Sequence, residues 1–448
     1  MKRLVSREQC TGIADIAALA LAAILPWSTS GTAIAAVIFI AASLGSLEWK
    51  SFSRVLARPV IYVPLAFVAL FALGMVWATE IDWKARLHGL NPALRFCVLP
   101  LLFYHFEHSE RGWQVAKAFF WSCALLMIAS WLSWLMNIQM SRMPVGVPVK
   151  NYIDQGQEFS LCIAGGLWWL HRAIKARDYK PAAWIAALLL LFLLNLAFVV
   201  ASRTALLMVP IFIIAFGIVH LGRKAAIALL IAVVVGSTLL WIASPYMRAR
   251  ISSISNEVHS YFSECAPISS MGERLLFWHK SVDFIGAAPV LGHGTGTVHH
   301  LFTEYAKTRL YPADVNVHEN IFRERGVLLP KNQKICLHDV GYAVGNPHQQ
   351  ILSVGIQAGL VGIALLLVLW FAHLRLFLPA MSAAGWLGFA LVFQNIVTSL
   401  ANSHLFDFTP GWIYVIGVGL AGGLLMQEKK AAAMASSVPL SGGASATV

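Results

Sequence analysis

The stretch GNPHQQILSVGIQAG (Gly345–Gly359) places an ionisable histidine at the edge of a long apolar run. Asn346 is a residue type that caps helices, and Pro347 suits a first helical turn because its missing N–H is not needed there. His348 is therefore expected in the first turn of a helix, where the positive helix end disfavours imidazolium and free N–H groups favour an anion. The pattern predicts a neutral histidine able to accept a proton. The alternative is a polar residue at a membrane interface with no chemical role.

Two glycines follow His348 on nearly the same face of the predicted helix. Gly355 lies seven residues beyond the histidine, and Gly359 follows four residues later. A pair of small residues at this spacing lets a second helix approach closely. We therefore expect another helix to pack against this face and to hold the histidine in place.

Two arginines lie at the edges of other predicted helices. Arg203, in FVVASRTALLMVP, stands where one apolar run returns into the next with almost no loop, and Arg274 lies in MGERLLFWHKSVDFIGAAP (Met271–Pro289). With a neutral histidine, they would supply bidentate donors for a pyrophosphate and a base for an incoming hydroxyl group. The alternatives are a topology anchor for Arg203 and a solvated surface residue for Arg274.

Three further basic residues, Lys84, Arg86 and Arg95, occur close together in DWKARLHGLNPALR. We expect this segment to form a loop on the same side of the membrane as His348 and Arg203, where its charge would add to the positive field near a diphosphate. Plain contacts with lipid headgroups are the alternative. The chain has no Asp-x-Asp pair, so it offers no obvious means of holding a divalent metal at a diphosphate. We expect neither a metal nor a cofactor.

Composition indicates the environment of these residues. Of the 448 residues, 58% are hydrophobic and only 12% are charged, so the chain cannot cover itself with polar surface as a soluble protein does. Apolar segments of about 20 residues, the length that crosses a bilayer as a helix, recur along almost the whole chain. The sequence predicts an all-α polytopic membrane protein with about twelve transmembrane helices. We place them at residues 12–28, 31–49, 59–79, 91–106, 113–137, 157–173, 181–200, 203–221, 224–244, 348–372, 377–401 and 411–426.

The distribution of Lys and Arg predicts the orientation of these helices. Sixteen basic residues flank the spans on one side and six on the other, which predicts that both termini are cytoplasmic. The net charge of +12 is then a topology signal and a surface for anionic lipid headgroups, not a nucleic-acid footprint. Residues 427–448 have low complexity, and we expect them to form a disordered cytoplasmic tail.

The longest connection separates nine predicted spans in residues 1–244 from three in residues 348–426. It comprises about a hundred residues, 245–347, on the outer side, and a loop of this length usually has a function of its own. Cys265 and Cys336 are its only cysteines. In an oxidising compartment, this leaves two alternatives open, a disulfide or two free thiols.

Three segments around this loop resemble the O-antigen ligase and polymerase superfamily: SRTALL (Ser202–Leu207), ERLLFWHKSVDFIGAAPVLGHGTG (Glu273–Gly296) and NPHQQILSVGIQAG (Asn346–Gly359). The resemblance implies a glycosyltransferase of the GT-C type in the bacterial inner membrane, with its large loop and its active site at the periplasmic face. It also implies transfer of O-antigen polysaccharide from undecaprenyl pyrophosphate to the lipid A core oligosaccharide.

The resemblance also assigns roles to residues. Carried over one by one, the family's arginines fall on Arg203 and Arg274 and its histidine falls on His348. Asp407, in NSHLFDFTPGW, falls where such proteins carry an acidic residue, with a turn-forming Asp as the alternative. The implied mechanism is one displacement with inversion, in which His348 takes a proton from the acceptor hydroxyl and the arginines neutralise the departing pyrophosphate.

Two features depart from the family pattern. Gln349 follows the histidine where Asn or Ser is frequent in relatives, and the segment from Leu301 to Cys336 is longer than the family core requires. The extra segment would be specific to the acceptor, so an O-antigen polymerase and a protein O-oligosaccharyltransferase of the same superfamily remain alternatives. A membrane transporter is a more distant alternative, which the clustering of polar groups on one face opposes.

Overall fold

The computed structural model describes residues 6–141, 143–200, 202–263, 265–266, 268–309, 311–314, 336–378 and 382–437. These residues form a helical protein with one pair of short parallel strands, β1 (Tyr311–Asp314) and β2 (Val340–Ala343). The helices are α1 (Arg7–Ile24), α2 (Thr29–Ser46), α3 (Trp49–Leu56), α4 (Pro59–Trp77), α5 (Trp83–Leu94), α6 (Leu99–His108), α7 (Gly112–Leu135), α8 (Tyr152–Lys175), α9 (Tyr179–Asn195), α10 (Arg203–His220), α11 (Arg223–Ala243), α12 (Pro245–Tyr261), α13 (Ser270–Ala287), α14 (Val298–Lys307), α15 (Gln350–Phe377), α16 (Ala383–Thr398) and α17 (Phe408–Ser437). Short 3₁₀ turns occupy Arg95–Val98 and Leu337–Asp339, and a π-helical turn occupies Leu196–Val200.

Eight helices in the described part of the chain are long and apolar enough to cross a membrane: α2, α4, α7, α9 with its π-helical turn, α10, α11, α15 and α17. The other four predicted spans correspond to α1, the α5–α6 segment, α8 and α16, which are more polar, interrupted or shorter. The chain is therefore a multi-pass membrane protein. Helix α11 differs from the rest because none of its residues is buried.

The fourth predicted span, residues 91–106, is not a continuous helix. Pro92 lies in α5 and Pro100 in the first turn of α6, and a 3₁₀ turn separates the two helices. Each proline removes an N–H donor, so an unbroken helical ladder cannot form across this stretch. The segment before this stretch is mostly helix (α5) rather than the predicted loop. Asp82 caps this helix, because its side chain accepts a hydrogen bond from Ala85 N at 2.7 Å.

The prediction of a disordered tail over residues 427–448 is wrong for the part up to Ser437, where α17 continues. The Ala-rich sequence there has high helix propensity, and Lys430 Nζ lies 2.9 Å from Glu107 Oε1 of α6. The remaining residues of that predicted tail lie outside the described part of the chain.

Glycines of α17 bring α6 into close contact with it. A Cβ atom added at Gly422 would lie 2.3 Å from the ring of Phe103, and one added at Gly423 would lie 2.5 Å from the backbone of Phe106. Small residues at a helix interface allow this approach. The last span therefore packs closely against α6 around Gly422 and Gly423.

The long connection folds around a small apolar core of its own. Phe277 of α13, Phe302 of α14 and Tyr342 of β2 are buried together, and the Phe277 ring centroid lies 5.8 Å and 5.6 Å from those of Phe302 and Tyr342. Ile356 of α15 belongs to the same cluster. This core therefore seats the connection on the membrane helix that follows His348.

Cys265 and Cys336 are joined in a disulfide, so the first of the two sequence alternatives is correct. The bond ties the α12–α13 connection to the chain just before β2. The described part of the longer segment from Leu301 to Cys336 consists of the rest of α14 and of β1, while residues 310 and 315–335 lie outside the described residues.

Helix α15 is interrupted at Gly359, where φ is 60° and ψ is −157°. The loop that follows α13 supplies hydrogen bonds to the backbone groups at this kink. His293 N donates to Ile356 O at 2.8 Å, and Leu360 N donates to Pro289 O at 2.8 Å. Buried backbone groups need partners, so the kink and the loop depend on each other.

The prediction that another helix packs against both glycines is correct for Gly355 and wrong for Gly359. A Cβ at Gly355 would lie 2.6 Å from Ile285 of α13, so that helix does pack on this face. Gly359 faces a loop instead, and a Cβ there would lie 2.3 Å from Val290 O. The loop backbone approaches so closely that the chain at Gly359 leaves the helical conformation.

We expect Gly359→Ala to lower the apparent Tm of the detergent-solubilised protein by about 5 °C or more, measured by tryptophan fluorescence. The reason is that glycine alone adopts this backbone conformation freely and that the added Cβ would meet Val290 O. Gly236→Ala in α11 is the matched control, because nothing lies within 4 Å of a Cβ there. Equal Tm values for the two variants would contradict this account of the kink.

Candidate active site

The four residues that the sequence singled out converge from four parts of the chain. Arg203 is the first residue of α10, Arg274 lies in the second turn of α13, His348 lies just before α15, and Asp407 immediately precedes α17. Arg203 influences the pKa of Arg274, and both Arg274 and Asp407 influence the pKa of His348. These groups therefore share one electrostatic environment.

His348 does not lie in the first turn of α15, contrary to the sequence prediction. The helix begins at Gln350, and its cap is Gln349, whose side chain accepts a hydrogen bond from Leu352 N at 2.6 Å. Asn346 instead closes a local turn, in which its Oδ1 accepts from His348 N at 2.8 Å. A side chain that bonds to its own turn competes with helix capping. The result is a His348 in the left-handed backbone region, with φ of 55°.

The imidazole of His348 has a fixed partner in Asn402. Nδ1 lies 2.9 Å from Asn402 Oδ1, and because a carbonyl oxygen only accepts, Nδ1 carries the proton and donates it. Nε2 is then the ring atom able to accept a proton. Burial lowers the pKa of His348, the hydrogen bond that the ring donates to Asn402 opposes this, and the charge of Arg274 lowers the pKa further. The predicted neutral histidine is therefore supported, but burial rather than a helix end is the main cause.

Arg274 projects from the same helix that packs against His348. Phe277, three residues on in α13, has its ring centroid 6.3 Å from the His348 imidazole. Burial lowers the pKa of Arg274, an effect opposed by Tyr152 and Glu257 and reinforced by Arg203. The guanidinium is therefore partly desolvated beside a second cation, a setting in which an anionic ligand is favoured.

Arg203 stands at the start of α10, after the π-helical turn. Its Nη2 donates to Ser253 Oγ of α12 at 2.9 Å and lies 3.6 Å from Glu257 Oε1. Its Nε is buried without a hydrogen-bond partner among the described residues. Ser202, at the N-cap, makes no side-chain capping bond. An uncapped helix start and an unpaired guanidinium N–H together favour a negatively charged ligand.

Asp407 contacts the turn that carries His348 rather than the imidazole itself. Its Oδ1 accepts a hydrogen bond from Asn346 Nδ2 at 3.2 Å, and its Oδ2 lies 3.4 Å from His404 Nδ1. The carboxylate thereby links the 346–348 turn to the α16–α17 connection. A role in positioning His348 fits these contacts better than a direct role in the reaction.

The three basic residues around α5 are placed differently from one another. Arg86 donates to Met75 O at 2.9 Å and to Ile81 O at 3.1 Å, and Lys84 is exposed on α5. Arg95 donates to Phe406 O at 3.2 Å and also to the backbone carbonyl oxygen of Asp407. The two guanidinium groups therefore hold backbone carbonyls, and Arg95 fixes the segment that carries Asp407.

Sequence reasoning missed Asn402 and Glu257. Asn402 begins the stretch NSHLFDFTPGW, in which only Asp407 was singled out. Its contact with His348 joins residues 54 positions apart in the sequence, so no local sequence pattern indicates it. Glu257 lies on a polar helix of the long connection and offers no motif. Both residues act across the fold, where spacing along the chain gives no signal.

Comparison with known proteins agrees with this architecture. Residues 185–367 match the family model described as O-antigen ligase. The matched range contains Arg203, Arg274 and His348, and it ends before Asn402 and Asp407. A sequence search of curated proteins finds no match. Residues 185–367, which lie within this multi-pass helical framework, therefore belong to the O-antigen ligase superfamily.

Proposed function

We propose that the protein is an O-antigen ligase, which transfers O-antigen polysaccharide from undecaprenyl pyrophosphate to a sugar hydroxyl of the lipid A core oligosaccharide. The observation that carries this proposal is the chain of interactions around His348. Its Nδ1 is held by Asn402, the charge of Arg274 acts on it, and Arg203 acts in turn on Arg274. A base and two guanidinium groups are what transfer from a lipid diphosphate requires. The site would face the periplasm, with both termini in the cytoplasm of the bacterial cell.

His348 Nε2 would act as the general base. It takes the proton from the acceptor hydroxyl while that oxygen forms a bond to the anomeric carbon of the donor sugar. The bond from this carbon to the pyrophosphate oxygen breaks, and the electron pair leaves with the lipid pyrophosphate. One displacement inverts the configuration at the anomeric carbon. The proton then passes from the imidazolium to water.

Arg203 and Arg274 would stabilise the departing pyrophosphate. Fixed guanidinium donors in a partly buried site act on charge as it develops, without reorganising. The N–H groups at the start of α10 would add to this effect, since Ser202 does not cap them. Among the residues that the structure describes, no group of three or more His, Cys, Asp or Glu side chains is placed to hold a metal ion. We propose a metal-independent reaction because the two guanidinium groups can take the charge of the leaving diphosphate themselves.

The function is tested by expressing the protein in a ligase-deficient strain and looking for glycan on the lipid A core. We expect the wild type to restore the linkage and His348→Ala to reduce transfer at least about 100-fold, because the imidazole that would take the acceptor proton is lost. The same assay with purified enzyme should proceed in excess EDTA. Glycan found on protein, or as extended lipid-linked chains only, would instead indicate the protein-glycosylating or polymerase activity.

His299→Ala is the matched control for this test, since His299 is exposed on α14. It should transfer glycan as the wild type does. Both variants must reach the membrane in equal amounts, measured by immunoblotting. Normal transfer by a well-expressed His348→Ala variant would rule out the base role.

We expect Arg203→Ala and Arg274→Ala each to reduce transfer at least about 10-fold, because a charge-assisted contact to the leaving group is lost. Lysine should restore only part of the activity, since an ammonium cannot reproduce a bidentate contact. Arg248→Ala is the control, because Arg248 donates to Trp241 O and Ile242 O at the end of α11, away from these contacts. Full activity in Arg203→Lys would indicate a role for charge alone.

The pH dependence of kcat/KM tests the pairing of His348 with Asn402. Burial lowers the pKa of His348, so the wild-type kcat/KM should begin to fall only at a pH below the ordinary imidazole pKa of about 6.5. Asn402→Asp puts a carboxylate at Nδ1, which stabilises imidazolium and should move the acid limb up by about one pH unit. Asn137→Asp, an exposed position on the α7–α8 connection, is the control. An acid limb that does not move would show that His348 is not the titrating base.

A further inference from the structure

Glu257 lies beside Arg203 and against the start of α13. Its Oε1 lies 3.6 Å from Arg203 Nη2, and its Oε2 accepts a hydrogen bond from Met271 N at 2.9 Å. Its charge also acts on Arg274, in the direction that favours the guanidinium cation. One carboxylate thus contacts Arg203 directly and acts on Arg274 through its charge.

The contact with Arg203 is electrostatic rather than a direct hydrogen bond. A separation of 3.6 Å is longer than a charge-assisted N–H···O bond, and the short contact of Arg203 Nη2 is the one to Ser253 at 2.9 Å. Nε of Arg203 is buried and unpaired within the described structure. Glu257 therefore reduces the positive potential of Arg203 while leaving it a donor for another anion.

Glu257 is also restrained in its place. Met271 N belongs to the first turn of α13, and its bond to Oε2 holds the carboxylate against that helix end. Glu257 and Arg203 have side-chain exposures of only 18% and 22%, so water screens their interaction incompletely. An incoming diphosphate would meet this fixed negative charge instead of displacing a mobile one.

We propose that Glu257 is a built-in counter-ion that lowers the affinity of Arg203 and Arg274 for the diphosphate, so that the lipid diphosphate product can dissociate. The inference rests on the proposed function, because both donor and product carry the diphosphate that the arginines bind. An interaction common to substrate and product does not accelerate the chemical step, and excess affinity slows release. Glu257 is in this sense a positioning and tuning residue, not a catalytic one.

The test is product inhibition by undecaprenyl pyrophosphate in the full-length purified enzyme. Glu257→Gln removes the charge but keeps an oxygen that accepts from Met271 N. We expect the concentration for half-inhibition and the KM for the donor each to fall by about fivefold, and kcat to fall because release slows. A merely structural role would lower activity and Tm without strengthening inhibition by the product.

Two further variants separate charge from geometry. Glu304→Gln makes the same change at an exposed position on α14, where Glu304 pairs with Lys307, and should leave inhibition unchanged. Glu257→Asp retains the charge and should stay within about twofold of the wild type. An Asp variant that tightens product binding as much as Gln would show that geometry, not charge, is the cause.

The outcomes also distinguish this inference from the proposed function. A wild-type enzyme that transfers no glycan would refute the proposed function, whatever Glu257 does. An active wild type whose Glu257→Gln variant shows unchanged or weaker inhibition would overturn the counter-ion role alone. Tighter inhibition with reduced kcat would support it.

Discussion

A membrane helix that breaks its own hydrogen-bond ladder must find partners for the freed backbone groups, and this constraint organises the site. Helix α15 breaks at Gly359, and the loop after α13 supplies the missing partners through Pro289 and His293. Because the loop is held there, α13 cannot shift along α15. Arg274 and Phe277 are carried on that helix, so their position relative to His348 follows from a backbone contact far along the chain.

A second framework holds the histidine itself. Asn346 bonds to the backbone of His348 and, through its Nδ2, to Asp407, while Arg95 donates to the backbone carbonyl of Asp407. Asn402 orients the imidazole. The turn is strained at His348, whose φ is positive, and such strain persists only where surrounding contacts over-determine it. Much of the polar chemistry around this site therefore serves to hold one ring in one orientation.

The sequence predicted those features that depend on a single segment of the chain. Apolar length predicted the membrane helices. The arginines and the histidine of the motifs are linked by charge, since Arg203 acts on Arg274 and Arg274 acts on His348. Prediction from sequence failed where two distant segments compete for the same groups. Asn346 was expected to cap α15, but a local turn took its oxygen and Gln349 became the cap. Gly359 was expected within a helix, but the approach of Val290 from another segment made it a kink. Asn402 and Glu257 were missed for the same reason, because their partners are defined only by the fold.

Helix α11 contributes no buried residue, although it is one of the most hydrophobic segments of the chain. Most of its side chains are exposed, so at those positions a change from one apolar residue to another leaves neither a cavity nor a clash. We therefore expect length and hydropathy, rather than shape, to limit substitution at these positions. The glycines of α17 stand at the other extreme, since a single added methyl group at Gly422 would collide with Phe103. Within one membrane domain, we therefore expect one helix to tolerate many apolar substitutions and another to tolerate few.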